Sequence, residues 1–64
     1  MEYRDARELV RIRYELRTLA ARGERGVAAS LLERMRSLAS RDAAESAAVQ
    51  TELQRWQFVF RLEA

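Results

Sequence analysis

The sequence predicts an all-α protein, a small three-helix bundle or helical hairpin, on three observations. Apolar residues recur at alternating spacings of three and four along most of the 64 residues. The chain has no proline and only two glycines, Gly23 and Gly26, which together mark one loop in "ARGERGVA". Asp42 followed three residues later by Glu45 has the signature of a helix start. At this length a single core is only marginally stabilising, so the expectation is one helical domain over residues 1–64 that forms a dimer.

The first helix is expected over residues 3–22. In "EYRDARELVRIRYELRTLAAR", Leu9, Ile12, Leu16 and Leu19 share one helical stripe with Ala20 beside it, while Arg4, Arg7, Arg11, Thr18 and Arg22 fall roughly opposite, with Glu8 and Glu15 among them. Gly23 is placed to close this helix, because glycine enters the left-handed conformation without a steric penalty.

The second helix is expected over residues 27–40. Val27, Leu31, Met35 and Leu38 form its stripe, and Ala28, Leu32 and Ala39 widen it, as suits a helix with two neighbours. Asp42, or Ser40 as an alternative cap, then breaks the chain, and a third helix runs over residues 43–62. Without glycine or proline there, residues 27–62 could also form one long helix folded against the first. The small residues Ser37, Ala39, Ser40, Ala43, Ala44, Ser46, Ala47 and Ala48 either permit close helix approach or mark a flexible join.

A minor alternative is an α+β fold. "VRIRYELR" and "WQFVFRLE" alternate apolar and polar residues with the period of a half-buried strand. Against it, the first segment runs into helix formers on both sides, and two lone strands make a marginal sheet.

Composition excludes several chemistries. The chain has neither cysteine nor histidine, which removes thiolate and imidazole metal sites and the usual acid/base switch. Asp5 with Glu8, and Asp42 with Glu45, are carboxylate pairs at helical spacing, but each has arginine nearby and so small a chain leaves little room for a cleft. No enzymatic activity, cofactor or metal is expected. Nothing resembles a secretory signal or a membrane-spanning run, so a soluble, cytoplasmic protein is expected.

The charge balance is mixed: twelve basic residues, every one an arginine, against ten acidic ones give a net charge of +2. Arg4, Arg7, Arg11 and Arg22 on one helix could follow a phosphate backbone. Neighbouring acids dilute that stripe, and Arg4/Glu8, Arg11/Glu15, Glu33/Arg36 and Glu52/Arg55 read as salt-laced helix surface.

The apolar residues are more informative. The chain ends in "RWQFVFRLEA", which holds the only tryptophan and both phenylalanines, although termini usually fray. Val49, Leu53, Trp56 and Phe60 line one stripe of the last helix, and Ala44, Ala47, Phe58 and Leu62 another. The first helix is doubled in the same way, with Tyr3, Val10 and Tyr14 on a second stripe. One set closes a core and the other is expected to meet a second chain. The expected interface residues are Tyr3, Val10, Tyr14, Trp56, Phe58, Phe60 and Leu62, since aromatics with arginine typify interface hot spots. The expectation is therefore a non-enzymatic protein–protein interaction module, an adaptor, co-chaperone or inhibitor of bacterial or phage type, binding a protein partner, itself, or both. The alternative is a small dimeric DNA-binding regulator that uses Arg4, Arg7, Arg11 and Arg22.

Overall fold

The computed structural model describes residues 2–61, which form helices α1 (Tyr3–Arg22), α2 (Gly26–Ala39) and α3 (Ala43–Phe60). Of the two segments with strand-like alternation, the first is helical throughout and the second is helical as far as Phe60, and α2 and α3 are separate rather than one long helix. The expected α3 end at residue 62 lies outside the described residues; α3 closes at Phe60. No helix among the described residues is long and apolar enough to cross a membrane.

Local chemistry sets the helix ends. Gly23 sits in the left-handed region at φ 70°, its N–H donates to the Ala20 carbonyl at 3.2 Å, and the Glu24 N–H reaches back to Leu19 at 3.1 Å. This paired closure satisfies carbonyls that the helix itself leaves open. At the second break Asp42 leaves helical geometry, at φ −139° and ψ 105°, and its carboxylate accepts the Ala44 N–H at 3.0 Å. A side-chain cap thus ends one helix and starts the next with neither glycine nor proline.

The core takes one face of each helix. Leu9, Ile12, Leu16 and Leu19 come from α1, Ala28, Leu32, Met35, Leu38 and Ala39 from α2, and Val49, Leu53 and Phe60 from α3. The α2 helix is the common neighbour, packing against both others. Its buried face is turned from the expected one: it centres on Ala28, Leu32 and Met35, while Leu31 is half-buried and Val27, in the first turn, is exposed. A helix between two partners presents the middle of its apolar arc, and Val27 lies at the arc's edge.

Charges join the helices at their rims. Arg13 of α1 grips Glu52 of α3 through its Nε, at 3.1 and 3.0 Å from the two carboxylate oxygens, and its Nη2, at 2.8 Å. The Trp56 indole N–H donates to the same carboxylate at 3.2 Å. Arg34 of α2 holds Glu8 of α1 at 2.7 Å, and Arg41 in the second turn lies 3.6 Å from the mostly buried Asp5. The expected pairs Arg11/Glu15 and Glu33/Arg36 are present at 3.9 and 2.9 Å. Glu8 and Glu52, read as partners of Arg4 and Arg55 on their own helices, instead bridge to neighbouring ones. Among the described residues every buried side-chain nitrogen and oxygen has a hydrogen-bond partner.

Burial pushes the Glu52 carboxyl up, but hydrogen bonds from Arg13 and Trp56 and the charges of Arg13 and Arg17 outweigh it and hold the group below its usual value. The Arg34 hydrogen bond likewise holds Glu8 low. A carboxylate with a depressed folded-state pKa adds stability above its unfolded pKa, and that contribution is lost as pH falls through the folded value. The melting temperature is therefore expected to fall with acidification below about pH 4.3, the usual glutamate value. Glu52→Gln should lower it at neutral pH and flatten the acid limb, read by melting curves across pH.

Two substitutions test the core and the cap by denaturant unfolding. Leu16 is fully buried, so Leu16→Ala is expected to cost about 2–5 kcal/mol and leave a domain of this size largely unfolded. Asp42→Ala should cost about 1 kcal/mol.

Candidate interaction surface

Each helix keeps a face outside the core, and the large exposed apolar side chains lie chiefly on those of α1 and α3. On α1, the residues turned away from Leu9, Ile12 and Leu16 include Tyr3, Val10 and Tyr14, which are 77%, 65% and 69% exposed. They belong to a line of Tyr3, Arg7, Val10, Tyr14, Arg17 and Ala21 at alternating spacings of four and three, the repeat that keeps side chains in register along one helix face. Arg4, Arg11 and Arg22 flank the line, and all are exposed. The Arg7 guanidinium lies 5.8 Å from the centre of the Tyr3 ring, a cation–π distance that presents charge and aromatic surface together.

A shallow groove bounded by Tyr3, Ala6, Arg7, Glu8, Val10 and Arg11 runs along this face. A second depression between Tyr14, Thr18, Arg22 and Val27 carries it from α1 onto the start of α2. Val27, at 57% exposure, is therefore part of the surface, a role its place on the expected core stripe conceals. Arg17 also escapes sequence reasoning aimed at the arginines opposite the core. Its spacing from Val10 and Tyr14 is the signal that would have found it.

The aromatic C-terminal segment is divided between interior and surface. Phe60, expected at the interface, is only 3% exposed and belongs to the core, so it contributes nothing to the outer surface of this fold. Trp56 is half-buried, its ring 5.9 Å from that of Phe60 and its indole N–H tied to Glu52. Phe58 and Val59 are 73% and 53% exposed. Leu62, the remaining expected interface residue, lies outside the described residues.

The outer face of α3 contrasts with that of α1. Ala44, Ala47, Thr51, Gln54 and Phe58 recur along it at spacings of three and four, and all are exposed. Arg55 is the sole charge among the exposed residues of α3, in a chain that is 34% charged. Thr51 and Gln54 were not expected on this surface, because neither is apolar.

The carboxylate pairs carry structural duties. Asp5 and Glu8 face Arg41 and Arg34 respectively, and Asp42 caps α3. Among the described residues no group of three or more acidic side chains stands close enough to hold a metal ion. What these surfaces offer chemically is apolar area and planar cations. No protein-family model matches the chain, and no curated protein or solved structure matches it.

Proposed function

We propose that this chain is a non-enzymatic protein–protein interaction module of the adaptor, co-chaperone or inhibitor kind, which meets its partner through the tyrosine–arginine face of α1. The observation that carries the reading is that Tyr3, Val10, Tyr14 and Val27 form one continuous exposed surface while a closed core exists without them. Large apolar side chains set in a line and bordered by polar groups mark docking surfaces more often than they occur idly. Tyrosine and arginine are the residues that bear most energy at such contacts. The arginines give the face a positive sign and so favour an acidic partner surface.

The DNA-binding reading draws support from the exposure of Arg4, Arg7, Arg11 and Arg22 on one side of α1. Two features weigh against it. Tyr3, Val10 and Tyr14 occupy the line along which a phosphate backbone would have to run, and Arg7 and Arg11 already have Tyr3 and Glu15 as neighbours.

Both readings are tested together. Tyr3→Ala with Tyr14→Ala alters only exposed positions, so the fold is expected to lose no more than about 0.5 kcal/mol per substitution. The wild-type chain should retain a specific protein from extract of its native host, and the double variant should lose it at an unchanged helical signal. Neither form should be held on duplex DNA at low salt. Equal retention by the variant defeats the reading, and DNA affinity that falls steeply with salt replaces it with the regulator.

A further inference from the structure

We infer that two copies of this chain pair through the outer faces of α3, running antiparallel, with Phe58 of each copy seated between Ala44, Ala47, Ala48 and Thr51 of the other. The inference rests on the binding-module reading and assigns self-association to a surface distinct from the α1 face.

The first argument is shape. Phe58 is the largest exposed apolar side chain on α3, and it projects from the same line as Ala44, Ala47, Thr51 and Gln54. Ala44, Ala47, Ala48 and Thr51 stand at positions i, i+3, i+4 and i+7, the four corners of the hole that receives one knob in helix packing. Knob and hole thus lie on one face, at opposite ends. Reversing a second copy about a two-fold axis between Thr51 and Gln54 places Phe58 in the hole of the other copy, twice over. A contact in which the same patch serves both partners is what a symmetric dimer requires.

The second argument is charge. A surface that meets its own copy brings like residues near like residues, so charge is penalised in a way that a foreign partner could compensate. The α1 face, with Arg4, Arg7, Arg11, Arg17 and Arg22, repels itself. The α3 face has only Arg55. The antiparallel arrangement moves the two Arg55 side chains to opposite sides of the axis, whereas a parallel one sets them side by side and stacks Phe58 on Phe58. A groove between Thr51, Arg55, Phe58 and Val59 borders the seam and leaves room for the long Arg55 side chain to lie along the surface.

The third argument is extent. The α3 helix has 18 residues in all, fewer than the roughly 20–30 that each partner contributes to a standard interface. The dimer is accordingly expected to dissociate on dilution, and the apolar line on α3 stays short and nearly neutral rather than continuously greasy.

The native chain has no cysteine, so single introduced cysteines report register cleanly. In the antiparallel pair the two copies of Gln54 flank the axis, offset by only about 5 Å along the helices, whereas the two copies of Ala44 are offset by about 25 Å. Gln54→Cys should be joined into a covalent dimer by a thiol-reactive linker spanning about 8 Å, and Ala44→Cys should not. Phe58→Glu should sediment as a monomer at concentrations where the wild type is dimeric, with unchanged helical signal, since position 58 is exposed. The Tyr14→Ala variant should dimerise normally. A wild type that is monomeric up to about millimolar concentration, a dimeric Phe58→Glu variant, or equal linking of Ala44→Cys and Gln54→Cys each overturns the proposal. If the dimer is absent but partner capture through α1 persists, self-association falls and the binding-module reading stands.

Discussion

The architecture depends on α2 being packed from both sides. Ala28, Leu32, Met35, Leu38 and Ala39 give α2 an apolar arc wide enough for two neighbours, and α1 and α3 each spend a single face on it. The apolar arc of α2 is thereby occupied, Val27 apart, while α1 and α3 each keep apolar residues outside the core. Whatever else this protein does with apolar surface it must do on the outer faces of α1 and α3. The exposed tyrosines, valines and phenylalanine lie largely there.

The ionic contacts reinforce that division without being its source. Salt bridges at a solvated rim contribute about 0–1 kcal/mol each, far less than the buried apolar side chains they border. Their value is positional. Arg13–Glu52 and Glu8–Arg34 fix how α1 lies against α3 and α2, and the Trp56 indole shares the Glu52 carboxylate, so the half-buried ring is anchored at its polar end.

Most of the fold was legible in the sequence because its signals are local. The periodicity of Leu9, Ile12, Leu16 and Leu19 found the α1 core face, Gly23 closed the helix as expected, and Asp42 decided the second break. What was not legible is what depends on neighbours. Linear spacing offers Arg4 to Glu8 and Arg55 to Glu52, yet helix packing brings Arg34 and Arg13 to those carboxylates with better geometry. Val27 and Phe60 exchanged their expected settings for the same reason. Each has the hydrophobicity for either environment, and only the packing angle of its helix says which it meets. Of the expected interface residues, Tyr3, Val10, Tyr14 and Phe58 are on the surface because they lie off the core stripe, a fact that periodicity does register.

The aromatic C-terminal segment shows how one helix can serve two ends. Phe60 joins Val49 and Leu53 in the core, so the last turn of α3 is held against the other helices. After Phe60 the backbone turns left-handed at Arg61, with φ 55°, and the Arg61 carbonyl accepts from Arg25 at 2.6 Å, tying the end of α3 to the start of α2. A non-glycine residue in that region carries strain and persists only where its surroundings determine it. With Phe60 buried and Arg61 fixed, Phe58 has no freedom to turn inward: two residues along a helix from a core position, it must point away from the core. Its exposure is thus a consequence of burying Phe60. The same geometry that secures the fold projects a large apolar side chain from the sparsely charged face of α3, where water is its poorest neighbour.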